Sequence, residues 1–473
     1  MKIPLGTGHY IGRSSNLNAL ILQNMFANLD RTGKSIVSLL GTPGLTLKGT
    51  PEADVPVRGL YPLGDYLYAA CGSNFYQIDS DFTATDKGNL STASGFVDLD
   101  DDGSYVLLSD GTYGYTYHVG TDTFALIADA DFIGAASMTH QDGYAITVEP
   151  GTTTMMRSAA LDPTSYTATH ITSVNRGRGN LVRAISTGGN LWAFTEFNAE
   201  VYHNTGAALF PFERYEAFLQ HGLLGRGAFT EADNTRFWLN QYRWLVRDEV
   251  YKPVKLNIDG IDYQFESYDT VSDAIVFSFE MEGHVFIVVT FPTADETRVY
   301  DVSTQQWFKW SSYRSSAEGY GRHRANCYAY FNGEHIVGDF ENGKLYQLDM
   351  DVYTDNSEVI QRRFTLPEIY DKKSRNCQVH HRLEIEFEAG VGLATGQGED
   401  PQAMLDWSDN GGHTFQNERW TDIGKIGEYS RKAVWDMLGM SEGRTYRCTI
   451  SDPVKVVVMG AYGEVETLRH KCL

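Results

Sequence analysis

RVYDVSTQQWFKW, residues 298–310, reads as a strand, a tight polar turn and a second strand that opens with Trp307. Either it is one hairpin of an ordinary sheet or it is one copy of a repeated unit, and that choice decides the fold. Four other stretches share its form: NFYQIDSDFTATDKG (74–88), YGYTYHVGTDTFALI (113–127), AEVYHNTGAALFPFERY (199–215) and KLYQLDMDVYT (344–354). In each, a strand ends near an aromatic residue and a polar turn follows.

Shorter strand pairs run ahead of these hairpins. GLYPLGDYLYAACG (59–72), SGFVDLDDDGSYVLLSDG (94–111), ASMTHQDGYAITVEP (136–150), VRAISTGGNLWAFTEF (182–197), AIVFSFEMEGHVFIVVTF (274–291) and CYAYFNGEHIVGDF (327–340) carry Gly, Asp-Gly or Asn-Gly at most of their turns. The units recur at roughly 40–50 residues, the period of a four-stranded propeller blade. A single blade cannot bury both faces, so neighbours must stack around an axis, with Trp and Tyr filling the wedges between them. The reading is an all-β chain whose body is a β-propeller of six or seven blades.

Composition agrees. The chain has 473 residues with 46 Gly, 28 Tyr and 24 Phe, and sustained helical periodicity is hard to find beyond the first forty residues. Residues 1–56 read as an N-terminal arm docking on the body: LNALILQNMFANLD (17–30) is apolar with possible helical spacing, and the Pro-Gly of SLLGTPGLTLKG (38–49) forces a turn into an extended segment. Residues 57–355 form the propeller. Residues 356–473, with the alternating strand VHHRLEIEFEAGVGL (379–393), form a C-terminal all-β domain of sandwich type.

With 39 basic and 61 acidic residues the formal charge is −22, so the surface as a whole repels phosphate and anionic lipid, which argues against nucleic-acid binding by general electrostatics. The five cysteines are scattered without CxxC spacing and read as reduced core or terminal thiols. Apolar runs such as HVFIVVTF are half the length of a bilayer span, and a soluble protein without a recognisable targeting signal is expected.

Motifs of chemistry are weak. DRTGKS (30–35) ends like a phosphate loop, but Asn28 stands where its first glycine belongs. GTGHYIG (6–12) has the wrong glycine spacing for a dinucleotide turn. DLDDDG (98–103) sets three aspartates at calcium-loop spacing but has Ser109 at the twelfth position, so it reads better as a polar hairpin turn. WSDNGGHTF (407–415) resembles an Asp-box hairpin with Asn410 in place of the aspartate. His380 and His381 are adjacent and point to opposite faces of a strand, which makes joint metal ligation awkward. LEIEFE (383–388) places Glu384, Glu386 and Glu388 on one face about 7 Å apart, a spacing that suits paired-carboxylate hydrolysis but reads better as a solvated or lumen-facing surface. No catalytic, cofactor or metal residue is assigned.

Taken in order, LQNMFANL, GTPGLTL, VRGLY, EVYHNTGA, HGLLGRGAF, the opening hairpin, MLDWSDNGGHTF and YSRKAVWDMLGM are collinear with one known family. The chain resembles the packaged-DNA stabilisation protein, or tail hub, of short-tailed bacteriophages, and is more distantly similar to the tail nozzle group. The resemblance covers nearly the whole length. It implies a structural, non-enzymatic virion protein of the tail, assembled in the host cytoplasm, with six copies in a ring below the portal and its adaptor. Such a ring extends the DNA channel, helps close the head and retain packaged double-stranded DNA, and offers attachment points to a distal tailspike, fibre or needle. No cofactor and no membrane partner are implied.

Within that frame an acidic lumen lets DNA slide without affinity, and Glu384, Glu386 and Glu388 are candidates for it. Three basic islands stand out against the acidic background: NRGRGN with Arg176 and Arg178, GYGRHR with Arg322 and Arg324, and DKKSR with Lys372, Lys373 and Arg375. These are expected at contacts between subunits or with the adaptor, where arginine meets carboxylate bidentately. The competing readings are a receptor-binding adhesin and a propeller glycan hydrolase acting on host surface polysaccharide.

Overall fold

The computed structural model describes residues 1–14, 20–30, 35–315 and 317–472. Within them the sequence repeat resolves into seven four-stranded antiparallel blades. Five are separate sheets and two lie inside larger ones. Blade I begins at Val57–Leu63, blade II at Asp98–Asp101, blade III at Met138–Gln141, blade IV at Leu181–Thr187, blade V at Phe229–Ala232, blade VI at Ile275–Met281 and blade VII at Ala325–Phe331. The opening stretch is the outer strand pair of blade VI, Glu296–Asp301 with Gln306–Arg314, in the register Tyr300 opposite Trp307.

Each blade is buried on both faces, and strand alternation assigns the faces. In Tyr66–Cys71 of blade I, Leu67, Ala69 and Cys71 pack with Cys327, Ile336 and Leu345 of blade VII. Tyr68 and Ala70, pointing the other way, pack with Val106, Leu108, Tyr115 and Tyr117 of blade II. Trp192 and Phe194 of blade IV, Phe237 and Trp238 of blade V, and Trp307 of blade VI share another core. Aromatic bulk thus fills the wedges, at roughly 150–250 Å² buried per ring.

The ring closes through the N-terminal segment. Gly44–Gly49 supplies the fourth strand of blade VII by pairing antiparallel with Leu345–Asp349, Leu45 opposite Leu348. A side chain at Gly44 would lie 2.4 Å from the Val352 carbonyl oxygen, so the close approach needs glycine. Asn326 on the first strand of blade VII donates its amide to the Val57 carbonyl of blade I at 2.8 Å, joining the last blade to the first.

The same segment welds the two units together. Leu22–Gln23 lies between Gln306–Arg314 of blade VI and Arg362–Thr365, so the sheet of blade VI continues through it into Gly443–Ile450, Gln402–Ser408 and Gln416–Asp422. Asn24, buried and left-handed at φ 53°, breaks the strand. Its side chain accepts from the Ser311 N–H at 2.8 Å and donates to the Gln361 carbonyl at 2.9 Å. Met25–Leu29 then leaves for a second sheet with Val37–Gly41, Val457–Thr467, Gln378–Phe387 and Ala433–Asp436. Phe26, Phe286, Phe308, Leu383, Ile385 and Val458 belong to one continuous core under both units.

Two expectations are corrected. Residues 22–29 are two short strands rather than a helix, while 17–19, like 31–34 of the phosphate-loop-like stretch, fall outside the described residues. Among the described residues the single α-helix is Asp259–Glu266, between blades V and VI, and no helix is long and apolar enough to cross a membrane. Cys377 and Cys472 form a disulfide, which leaves Cys71, Cys327 and Cys448 as buried free thiols.

Candidate functional site

The first basic island crosses the link between blades III and IV. Arg176 anchors its backbone by donating N–H to Glu200 Oε1 at 2.9 Å, and its exposed guanidinium lies over Phe218 at 4.9 Å and donates to the Glu216 carbonyl at 3.1 Å. Arg178 is held likewise: its N–H donates to Asn198 Oδ1 at 3.0 Å and its guanidinium sits over Phe197 at 5.5 Å. Neither guanidinium forms an ion pair among the described residues. Stacking orders the planar fork while leaving hydrogen-bonding edges in solvent, the state in which arginine meets a partner carboxylate with least entropy lost.

The second island differs from the exposed loop that GYGRHR suggests. Arg322 and Arg324 are buried, because the strand Gly319–Arg322 folds back on Gln306–Arg314 and the chain then enters blade VII. Arg324 pairs with buried Asp339 at 3.3 Å, so its charge is met within the chain. Arg322 stacks on Phe340 at 3.7 Å. Both side chains are thus covered by their own chain and do not project from an exposed loop.

The third island is a surface turn built on Asp371, whose carboxylate accepts N–H bonds from Lys373 at 3.0 Å, Ser374 at 3.2 Å and Asn376 at 3.3 Å. The bonds from Lys373 and Asn376 hold the Asp371 carboxyl below its usual range. Lys372, Lys373 and Arg375 project from the turn into solvent, with Arg375 over Tyr370 at 5.6 Å.

The acidic strip lies on the outer face of Gln378–Phe387, with Leu383, Ile385 and Phe387 turned into the core. Glu384 pairs with Lys432 at 2.6 Å and with Arg382 at 3.4 Å, and Glu388 with Lys455 at 3.0 Å. Glu386 between them is half-buried, and Glu464 and Glu466 on the adjoining strand are exposed. The face stays acidic but is partly matched by cations of its own chain.

The remaining motifs resolve into local structure. Asn410 takes the aspartate's place in the Asp-box-like turn: its Oδ1 accepts the Thr414 N–H at 3.0 Å and its amide donates to Thr414 Oγ1 at 2.9 Å. Asp98–Asp101 is the first strand of blade II, and Asp102 caps the following turn by accepting N–H bonds from Ser104 and Tyr105. His380 is buried between Ser441 and Tyr446, while His381 faces solvent beside Glu466.

Sequence reasoning passed over the arginines that line the propeller interior. Arg183 of blade IV forms a two-pronged ion pair with Asp98 of blade II, and Arg58 and Arg226 are spent on main-chain carbonyls of neighbouring links. Each is an isolated arginine in its own segment, so charge clustering gives no signal. VRGLY and HGLLGRGAF contain two of them beside glycines, and that was the available cue.

The chain is thus a seven-bladed propeller that shares a sheet with a β-sandwich. A family model described as bacteriophage P22 Gp10, beta-propeller matches residues 1–353, and one described as bacteriophage P22 Gp10, beta-sandwich matches residues 362–466. The class is therefore that of bacteriophage tail structural proteins. The chain belongs to the bacteriophage P22 Gp10 family. No curated protein matches it. Among solved structures it is similar to the extracellular domain of a putative one-component system from B. thetaiotaomicron, at TM-score 0.43 and 9% identity, over 81% of this chain and 48% of that one. At that score the likeness adds nothing to the assignment.

Proposed function

We propose that the protein is a non-enzymatic tail hub of the virion: a ring, six copies strong, that docks on the portal adaptor, extends the DNA channel, retains the packaged genome and receives a distal tailspike, fibre or needle. The observation that carries this reading is the pair of family matches covering propeller and sandwich in order. The architecture supports it mechanically. One N-terminal segment completes blade VII, enters the sheet of blade VI and joins the sandwich, so the two units move as one body under load. Arg176, Arg178, Lys372, Lys373 and Arg375 are the exposed cations proposed to meet acidic neighbours, either another subunit or the adaptor. Glu384, Glu386 and Glu388 are proposed to face the passing DNA, which a chain of net charge −22 does not attract.

The test is to add purified protein to heads packaged without it and to measure the DNA that survives nuclease. Protection that rises with added protein supports the hub; unchanged DNA loss, in heads carrying the adaptor, sinks it.

A further inference from the structure

At one mouth of the propeller, the links leading into the first strands of several blades surround a cavity of about 500 Å³. That is within the range of small-ligand sites. Phe96 and Phe340 contribute apolar wall, and Arg58, Arg226 and Arg322 bring three guanidinium groups to the lining. The five hydrogen bonds of Arg58 all go to main-chain carbonyls and the Thr92 hydroxyl. Arg226 donates to the carbonyls of Ala136 at 3.0 Å and Asp110 at 3.3 Å. Neither has a carboxylate within ion-pair distance among the described residues, though Asp110 lies near both and Asp98 near Arg226.

Arg322 is the group left unfinished. It is 9% exposed, its face is covered by Phe340, and its one side-chain hydrogen bond among the described residues is a long 3.5 Å contact to Asn326 Oδ1. No carboxylate of the described residues lies within ion-pair distance of it. Asp295, close by, accepts its backbone N–H at 3.2 Å and is otherwise engaged by Arg314. Burial, the largest cause, pulls its pKa down to about 10, against the opposing pull of Asp295, Asp273 and Asp339. Of the two acids on the lining, Asp273 accepts from the Thr293 N–H and hydroxyl through Oδ2 while its buried Oδ1 has no partner among the described residues, and Glu196 stands at the exposed rim. A buried guanidinium that lacks a carboxylate partner is costly, and a planar fork with an apolar backing is the arrangement that binds carboxylate or phosphate bidentately.

We propose that this cavity binds a small oxyanion, a carboxylate or phosphate group, on the free edge of Arg322, with Arg58 and Arg226 supplying the surrounding positive field. The site is independent of the tail reading and stands or falls alone.

Isothermal titration of the full chain with inorganic phosphate, and separately with succinate, at matched ionic strength tests it. One-to-one saturable heat is expected with at least one probe, and which probe binds tells a tetrahedral from a planar anion. Arg322→Met should weaken binding tenfold or more, while Arg375→Ala on the distant surface turn should leave it unchanged. Absence of saturable heat with both probes, or equal affinity in Arg322→Met, overturns the proposal. If Arg322→Met does not fold, crystals of the unaltered protein soaked in selenate decide: anomalous density within hydrogen-bond distance of Arg322 supports the site, and density absent there or found as an adventitious ion only, away from Arg322, overturns it.

Discussion

The guanidinium of Arg183, on the first strand of blade IV, holds both carboxylate oxygens of Asp98, on the first strand of blade II, at 3.1 and 2.5 Å, reaching past blade III to do so. The pair ties non-adjacent blades across the interior of the ring. Removing one partner strands the other in a buried site, so Asp98→Ala should cost about 3–5 kcal/mol. The double change Asp98→Leu with Arg183→Met should recover much of that loss, since a buried pair is worth little against apolar packing. Urea unfolding midpoints check both, and a single-mutant cost below about 1 kcal/mol would show that the pair is not structural.

Acid should loosen the fold from about pH 6.5 downward. His9, His323 and His380 are held neutral, foremost by burial: the first two have pKa values well below the ordinary value, and that of His380 is lowered to about 3. Their Nδ1 atoms are already placed as acceptors in the first two, from the N–H of Leu22 and of Ala325. Below pH 6.5 the unfolded chain binds protons that the folded chain refuses, so stability present above that pH is lost as pH falls, at up to about 4 kcal/mol per pH unit for three such groups. Asp355 runs the other way: burial raises its pKa to about 6, so its contribution to stability grows as pH falls from 6 toward 4. Denaturant midpoints from pH 7.5 to 5 should decline, and His380→Gln should flatten the decline. A midpoint independent of pH over that range contradicts the burial argument.

The Cys377–Cys472 disulfide closes a loop with a sequence separation of 95 and pins the C-terminal end beside the start of the Gln378–Phe387 strand. Loop-closure entropy puts its contribution at about 4–5 kcal/mol. Thiol titration in denaturant should find three reactive groups without reductant and five with it. Cys377→Ser should lower the thermal midpoint of the oxidised protein. Five thiols without reductant would mean that the bond does not form.

Arg176 and Arg178 lie on the surface, so replacing both with Glu should change stability by less than about 1 kcal/mol. Docking to packaged heads should nevertheless be abolished, because two cations become two anions at the proposed contact. Cosedimentation with heads measures it. Docking that survives the double change would remove this loop from the interface.

The hairpins were legible because two-residue alternation and Gly, Asn and Asp turns are local signals, and the opening stretch is one copy of the repeated unit, the outer strand pair of blade VI. The ring's closure was not legible. Gly44–Gly49 pairs with Leu345–Asp349 some 300 residues away, and nothing within either segment names the other. The apolar run before it satisfied a helical spacing, and only the left-handed Asn24, fixed by Ser311 and Gln361, turns it into two strands serving two sheets. Arg322 and Arg324 looked like surface charge because their coverings, Phe340 and Asp339, come from the next hairpin of blade VII. The disulfide left no trace in cysteine spacing, since its halves meet only when the C-terminal strand pairs with Gln378–Phe387.

The most direct test of the hub reading is to image the portal vertex of heads assembled without this protein, before and after the purified chain is added. The account predicts new density below the adaptor with six-fold symmetry, each unit fitting one propeller and sandwich as a single rigid body, with Arg176 and Arg178 at a protein contact and Glu384 toward the channel. A vertex unchanged by addition, on heads whose adaptor is present, would contradict it.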